Sequence, residues 1–486
     1  MQSNSMIAPR LSVMMFLQFF VWGAWYVTAY LYLGKIGFGG PEIGWTYSVG
    51  PIAGMISPFF VGMIADRFFS TEKVLATLHI AGGAAMFAAV SVMQGESASP
   101  TVINSLFFVH MLCYFPTLAL TNSLALQSMT DAEKQFPLIR VFGTIGWIVA
   151  GVFVSLQGWD AAIQMFQLAA GASILMGVYC FTLPHTPPPS AGQPVSAREI
   201  LGLDALILLK NPAYLTFMVS SFLVCIPLAF YYQMAGKFVD HAGQAAPAFT
   251  MSFGQMSEII FMILMPLFFR KLGVKWMLLV GMLAWVARYG LFAVASDSGV
   301  AWAVLTGIIL HGICYDFFFV TGQIYTDKVA PASIRSQAQG MLVLFTLGLG
   351  MFIGAQVAGR VEAMYTPETS TELTTEAGIL GDQMTDLQDQ IAELQGMKDK
   401  TKFEQWLNFV SPAKIDAESQ AKVNDLSNEV SGLRTQRSSI LLKSVGWKSI
   451  WTVPALGALA IMILFALVFR EDPEEVQQEP QPAESE

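Results

Sequence analysis

Charged residues are scarce in this sequence and unevenly placed. Its 486 residues include 26 Lys and Arg and 35 Asp and Glu, which makes 13% charged against 54% hydrophobic, whereas soluble domains average about 25% charged residues. The segments 361–446 and 471–486 contain 29 of these charges, so long apolar runs fill the rest of the chain. Such a chain cannot cover its surface with polar groups in water. We therefore expect an all-α polytopic membrane protein.

Other features that the sequence lacks argue against several classes of function. A net charge of −9 without any basic block disfavours a nucleic-acid partner. The four cysteines and five histidines show no zinc-type or redox-type spacing, so we predict no metal site. Neither a phosphate-binding loop nor a nucleophilic triad is present. We expect neither an enzyme nor a protein with a bound cofactor.

Hydropathy predicts twelve membrane-spanning helices, with a proline-rich linker at 184–211 between the sixth and seventh. This arrangement predicts two six-helix bundles, the first at 1–183 and the second at 212–360 and completed by a twelfth helix at 448–470. The predicted spans are 11–33, 43–65, 73–94, 101–126, 137–157, 161–183, 212–236, 250–269, 275–295, 299–324, 337–360 and 448–469.

The distribution of Lys and Arg predicts the orientation of these spans. Short loops on the side of the amino terminus hold twelve Lys and Arg, and the opposite loops and span ends hold four. By the positive-inside rule both termini are cytoplasmic, in a bacterial inner membrane. The acidic tail at 471–486 is then cytoplasmic, and the insert at 361–447 is extracytoplasmic.

The insert carries two heptad-like apolar patterns that predict an antiparallel helical hairpin between the eleventh and twelfth spans. A turn is predicted at Trp406–Pro412. The hairpin is either a solvated coiled coil without a functional role or a functional element. In the second case it serves as a lid or as a docking site for an unknown partner. The apolar positions are Leu380, Met384, Leu387, Ile391 and Leu394 in the first helix and Val423, Leu426, Val430 and Leu433 in the second.

A charge at the bilayer centre costs roughly 2.5–3.5 kcal/mol on insertion scales, so each intramembrane charge needs a reason. Arg140 begins the fifth span and shares a helix face with Thr144 and Trp147, because residues four and seven apart lie on one side of a helix. A cation, a hydroxyl and an indole together suit a polar aromatic ligand. Alternatively, Arg140 extends to the membrane surface.

The eighth and tenth spans carry a second group of polar candidates. Gln255 and Glu258 share one helix face, and either bind ligand hydroxyls or make a structural interhelical bond. On the tenth span His311 and Tyr315 share a face, and Asp316 lies beside them within a run of Phe. We expect Asp316 to be a proton-coupling group if a cation such as Arg140 pairs with it reversibly, or otherwise half of a permanent salt bridge.

Several polar or aromatic residues near these charges are further candidates, although each is individually more typical of packing than of binding. Gln18 lies on the first span, and Tyr232 and Gln233 lie on the seventh, so the first helix of each bundle contributes. Arg288, on the ninth span, is either an alternative partner for Asp316 or a structural charge.

Several strings resemble known transporters. Gly62, Asp66 and Arg67, followed by a lysine, resemble the loop motif of the major facilitator superfamily. Longer strings are similar to the nucleoside:proton symporter family within it. They are FLQFFVWGAW (Phe16–Trp25), YFPTLALTN (Tyr114–Asn122), FPLIRVFGTIGW (Phe136–Trp147), LGLDALILLKN (Leu201–Asn211), YDFFFVTG (Tyr315–Gly322) and IRSQAQGM (Ile334–Met341).

The resemblance implies a major facilitator fold with a central nucleoside site and alternating access driven by protons. It also implies residue roles. Nucleoside contacts are implied for Arg140, Thr144, Trp147, Gln255, Glu258 and Tyr315, and proton coupling is implied for Asp316, with Glu258 as a second candidate. The protein would then import nucleosides, with the proton as coupling ion.

The chain departs from the family pattern at its pocket. His311 stands where tyrosine is expected, Trp147 where phenylalanine is expected, and Ala229 and Tyr232 where amides are expected, which leaves Gln233 as the nearby amide. A bulkier, more aromatic pocket favours purine over pyrimidine nucleosides. Two other functions remain open, namely symport of a sugar or other small polar solute and a receptor or scaffold that acts through the hairpin.

Overall fold

The computed structural model describes residues 7–95, 99–129, 132–188, 203–244, 246–331, 334–398 and 415–470, together with residues 400, 404 and 408. Within these ranges the regular structure is helical, without a β-strand. The first half contains α1 (Ile7–Gly23), α2 (Ala29–Lys35), α3 (Gly40–Arg67), α4 (Thr71–Met93), α5 (Pro100–Ser128), α6 (Ala132–Leu156) and α7 (Gln164–Cys180). The second half contains α8 (Pro212–His241), α9 (Pro247–Ala295), α10 (Ala301–Val329), α11 (Gln337–Met364), α12 (Ser370–Leu394), α13 (Ala417–Lys443) and α14 (Trp447–Val468).

Eight of the helices in this described part are long and apolar enough to cross a membrane, namely α4, α5, α6, α8, α9, α10, α11 and α14. The helices α1 and α7 are apolar but shorter.

The start of a helix can be read from the local sequence. Asn211, for example, caps α8 by accepting hydrogen bonds from the backbone N–H groups of Ala213 and Tyr214 at 2.8 and 3.2 Å, and Pro212 follows it, as is typical of helix N-termini.

The first predicted span, 11–33, is not one continuous helix. The chain leaves the helical path after Gly23, turns through residues 24–28 and resumes as α2 at Ala29. A break inside a membrane protein needs another donor for the freed carbonyls. The hydroxyl of Tyr47, on α3, supplies one by donating to the carbonyl oxygen of Tyr26 at 2.8 Å. The break is thus accompanied by a contact between helices, which a hydropathy window does not detect.

The eighth and ninth predicted spans form one long helical run, α9, with an interruption. Gly273 within it has non-helical angles, φ 67° and ψ 179°, and the positive φ is one that glycine adopts at little cost. The interruption lies between the predicted spans 250–269 and 275–295. The predicted linker at 184–211 is only partly described, and its described portion includes a 3₁₀ helix at Leu203–Lys210.

The two halves are each held by internal helix packing and meet along a shared face. In the first half α1 packs on α6, and α4 packs on α5 and α7, whereas in the second half α9 packs on α10 and α14, and α8 packs on α11. Between the halves α3 packs on α11 and α6 on α9. The backbones of α3 and α11 approach closely, because a Cβ built on Gly40 would lie 2.7 Å from the carbonyl oxygen of Gly359.

The helices α12 and α13 pack against each other, as the apolar spacing predicted. A Cβ built on Gly381, near the middle of α12, would lie 3.7 Å from Nε of Arg437, near the end of α13. The apolar side chains of Leu380, Val423 and Val430 are buried. The turn predicted at Trp406–Pro412 lies outside the described residues except for Asn408, as does the tail at 471–486.

Candidate functional site

A cavity of about 260 Å³ lies between the two halves of the molecule. Its wall draws on α1, α3, α5 and α6 from the first half and on α8, α9, α10 and α11 from the second. The lining residues are Phe19, Trp22, Tyr26, Pro51, Phe115, Leu118, Asn122, Arg140, Thr144, Trp147, Tyr232, Gln255, Glu258, His311, Tyr315, Leu347 and Met351. A cavity between two bundles is where the midplane sites of secondary transporters lie.

The first-half wall presents the cation, hydroxyl and indole that the sequence placed on one face of α6. Arg140, Thr144 and Trp147 all line the cavity. The guanidinium carbon of Arg140 lies 4.2 Å from the centroid of the Phe19 ring, which is within cation–π range. This contact with α1 holds the guanidinium against the cavity wall, where it can meet an acceptor on a ligand.

The second-half wall presents a carboxylate and an imidazole. Gln255 and Glu258 reach the cavity from α9, and His311 and Tyr315 reach it from α10. Nε2 of His311 lies 3.9 Å from Oε2 of Glu258. The His311 ring stacks on Tyr231, with centroids 5.2 Å apart and planes at 16°. This contact fixes the orientation of the imidazole. The pair offers a ligand both a donor and an acceptor.

Aromatic rings form much of the remaining wall. Trp22 meets Trp147 edge to face at a centroid distance of 5.3 Å, and Tyr26 meets Tyr232 in the same way at 5.9 Å. Indole and phenol rings give a broad apolar surface with polar edges, which suits a flat heteroaromatic group. The cavity therefore combines stacking surface with opposite charges contributed by the two halves.

Gln18, which the sequence placed among the binding candidates, does not line the cavity. Its amide nitrogen donates to Oγ1 of Thr117 at 2.7 Å, and its amide oxygen lies 2.9 Å from Nε2 of His79. The side chain is fully buried within the first half. Both ends of the amide are thus engaged in a network that joins α1, α4 and α5.

Gln233 and Asp316 are also set back from the cavity. Gln233, on α8, is 1% exposed and Asp316 is fully buried. Neither side chain has a hydrogen-bond partner within the part of the chain that the structure describes. Asp316 begins a π-helical turn, Asp316–Val320, inside α10, and such turns are frequent at functional sites.

Among the described residues, neither Arg140 nor Arg288 makes the expected pair with Asp316. Arg140 lies against Phe19. Arg288 donates from Nε to the carbonyl oxygen of Gly307 at 3.0 Å and lies over the Tyr231 ring at 4.1 Å. Arg288 is fully buried and supports the aromatic ring on which His311 stacks, so its contacts here are structural.

The loop motif lies at the end of α3, where Gly62, Asp66 and Arg67 belong to the last turns of the helix, and their side chains lie outside the described residues. Sequence reasoning did not select Asn122, Phe19 or Phe115 as wall residues. Asn122 carries a usable signal, because it is an amide within the apolar run of α5. The phenylalanines do not, because aromatic residues are common throughout these helices.

Solved structures with the same fold identify the class of protein. The chain superposes on the crystal structure of the nucleoside transporter NupG with a TM-score of 0.73 at 25% identity, over 96% of this chain and all of that one. It also superposes on a D-xylose–proton symporter with a TM-score of 0.60 at 10% identity, over 73% of this chain and 90% of that one. The fold is thus that of the major facilitator-type transporters, as the sequence predicted.

Sequence comparisons then define the family. The family model described as nucleoside H⁺ symporter matches residues 5–380. YegT of Escherichia coli (strain K12) is 43% identical over 359 residues, which is 72% of this chain and 83% of YegT. The xanthosine permease of the same organism is 33% identical over 369 residues, covering 73% of this chain and 87% of the permease. The chain belongs to the nucleoside H⁺ symporter family, a family of transporters and not of enzymes.

Proposed function

We propose that this protein imports nucleosides together with protons and binds them in the cavity between its two halves. The observation that carries the proposal is the composition of the cavity wall, with Arg140 on one half, Glu258 and His311 on the other, and aromatic rings from both halves. A nucleoside offers a flat base for stacking and ribose hydroxyls for hydrogen bonds. Because both halves contribute, ligand binding favours their closure around the cavity.

The wall residues divide by chemistry. Trp147 and Tyr315 stack on the base, Arg140 and Thr144 donate to its acceptors, and Gln255 and Glu258 accept from ribose or base donors. Tyr232 and His311 are further residues of the wall. Gln18 and Gln233 are buried behind the wall and support it without contacting the ligand. The names of the relatives NupG, a nucleoside permease, and the xanthosine permease support a nucleoside as the substrate.

The proton site in this proposal is Asp316, with Glu258 as the group that couples it to the ligand. Asp316 is fully buried and has no hydrogen-bond partner among the described residues, an arrangement in which the ionised form lacks compensation. External protonation favours the outward-open state and ligand binding. Release on the inside follows deprotonation. No other cofactor is part of the mechanism.

The proposed topology has twelve spans with both termini in the cytoplasm of a bacterial inner membrane. The spans are α1 with α2, then α3 to α8, the two parts of α9, α10, α11 and α14. The excess of Lys and Arg in the loops on the amino-terminal side supports this orientation. The paired helices α12 and α13 are then extracytoplasmic, and the acidic tail at 471–486 is cytoplasmic.

A purine preference is the finer part of the proposal. Trp147 and Tyr232 make the cavity wall bulkier and more aromatic, and the imidazole of His311 beside Glu258 can pair with ring nitrogens of the base. Competition of labelled adenosine uptake by a panel of nucleosides tests this preference. Purine nucleosides are expected to compete at lower concentrations, and a strong preference for pyrimidines would contradict it.

Exchange across proteoliposomes tests the site itself. Vesicles loaded with unlabelled adenosine are expected to take up labelled adenosine, and ribose at equal concentration is expected not to compete. Trp147→Ala should raise the half-saturating concentration about tenfold, because base stacking contributes about 1–3 kcal/mol. Trp276→Ala is the control, since Trp276 is 60% exposed. Equal effects of the two substitutions, or competition by ribose, would contradict the proposed site.

A further inference from the structure

The amino terminus of α9, the helix that carries Gln255 and Glu258, has no cap of its own. Its N-cap residue, Ala246, has a left-handed φ of 51° and makes no side-chain hydrogen bond. The first N–H groups of a helix have no partner within it. In most helices a Ser, Thr, Asp or Asn at the N-cap accepts from them, and alanine cannot do so.

The missing acceptors come from the other half of the molecule. The backbone N–H of Ala248 donates to Oδ1 of Asp160 at 2.7 Å, and that of Phe249 donates to Oγ of Ser155 at 2.8 Å. Ser155 in turn donates its hydroxyl hydrogen to Oδ1 of Asp160 at 2.8 Å. Asp160 is 9% exposed. Two side chains of the first half therefore cap a helix of the second half.

This cap lies at the end of the molecule where the two halves are in direct contact. There α3 meets α11, with Gln356 donating from Nε2 to Oγ of Ser48 at 2.9 Å, and Ser48 is fully buried. The capped end of α9 is also connected to the cavity, because the same helix carries cavity residues. Gln255 and Glu258 follow Ala248 by about two and three helical turns on the same helix, so a displaced amino terminus would move them.

We infer that Asp160 and Ser155 are gate-positioning residues, which hold the amino terminus of the substrate-binding helix α9 against the first half and so keep this end of the transporter closed. Opening this end separates α9 from Asp160 and leaves the N–H groups of Ala248 and Phe249 to water. The closed state is thus favoured by hydrogen bonds that the open state lacks.

Asp160 acts in this cap as a hydrogen-bond acceptor, through Oδ1. Burial raises the pKa of the Asp160 carboxyl above its ordinary value, and this effect exceeds the lowering by its hydrogen bonds to Ala248 and Ser155. A neutral side chain with an oxygen in the same place is therefore expected to serve as well. Asn provides that oxygen and Ala does not.

The test measures how often the closed end opens. Full-length protein carrying Ser48→Cys is placed in lipid nanodiscs and exposed to a water-soluble maleimide, and modification at position 48 is followed by mass spectrometry of its peptide. Asp160→Ala is expected to raise the labelling rate by about threefold to thirtyfold, which corresponds to the range for loss of a helix cap. Ser155→Ala should raise it in the same direction.

Two further variants make the result specific. Asp160→Asn should label within about twofold of the parent, since it keeps the acceptor. Asp297→Ala should label like the parent, because Asp297 is 74% exposed and its ion pair with Lys448 lies within the second half. Unchanged labelling in both Asp160→Ala and Ser155→Ala, or equal acceleration by Asp160→Asn and Asp160→Ala, would overturn the inference. The measurement does not depend on which solute is transported.

Discussion

At the residue scale, the scarcity of polar groups in apolar helices was an effective guide to the cavity. A charge or an imidazole in a membrane helix indicates a structural or functional role, and Arg140, Glu258 and His311 all line the cavity. The same argument could not separate a cavity-facing amide from one that bonds inside a bundle. Gln18 is bonded to Thr117 and His79, which lie 99 and 61 positions away, and helical periodicity carries no information about such partners.

Glu258→Gln is expected to weaken nucleoside binding, because an amide replaces a carboxylate that accepts hydrogen bonds from the ligand. Bonds to charged groups contribute about 1.5–3 kcal/mol, so the apparent affinity in exchange assays should fall at least about tenfold. Glu372→Gln is the matched control, since Glu372 lies exposed on α12. An unchanged affinity in Glu258→Gln would remove this carboxylate from the ligand site.

Asp316→Asn is expected to separate transport from proton coupling. The variant cannot ionise at this position, so exchange of labelled for unlabelled nucleoside should persist while accumulation driven by a pH gradient is lost. Both activities are measured in the same proteoliposome preparation. Full gradient-driven accumulation in Asp316→Asn would contradict the role of this residue.

Gln18→Leu is expected to lower stability and to leave the substrate ranking unchanged. The substitution leaves Thr117 and His79 without their buried partner, which costs about 1–3 kcal/mol, and the thermal unfolding midpoint should fall accordingly. Competition by a nucleoside panel supplies the second measurement. A changed ranking without a thermal shift would place Gln18 in contact with the ligand after all.

At the element scale, the sequence predicted where helices form better than where they break or dock. Apolar spacing predicted the pairing of α12 with α13. It could not predict that Arg437 would reach Asp240 at the end of α8, at 3.4 and 3.2 Å, or that Ser438 would donate to the carbonyl oxygen of His241. These contacts join residues 197 positions apart. They join α13 to the end of α8.

Because the described residues of α12 and α13 are not among those that line the cavity, replacing residues 370–440 with a short flexible linker is expected to leave at least about half of the exchange activity. Exchange is measured at equal amounts of folded protein, judged by size-exclusion chromatography. Arg437→Ala, which only loosens the docking on Asp240, is the milder companion variant. Complete loss of exchange in a well-folded deletion variant would favour a receptor or lid role for this region.

At the scale of the whole molecule, low charge density and the linker predicted two helical halves, and the similarity to NupG confirms a transporter fold of that type. The contact between the halves was not predictable from hydropathy. It depends on Gly40 approaching Gly359 and on the cap that Asp160 provides to α9. Small residues and loop carboxylates are frequent elsewhere in the sequence, so only the fold shows which of them meet.

The central claim is that a proton gradient drives nucleosides through this cavity, and gradient-driven uptake tests it most directly. Labelled adenosine is supplied to proteoliposomes with an acidic exterior and a neutral lumen. The account predicts accumulation above the external concentration, which collapses when a protonophore is added. Uptake that only equilibrates, with or without the pH gradient, would contradict proton-coupled transport.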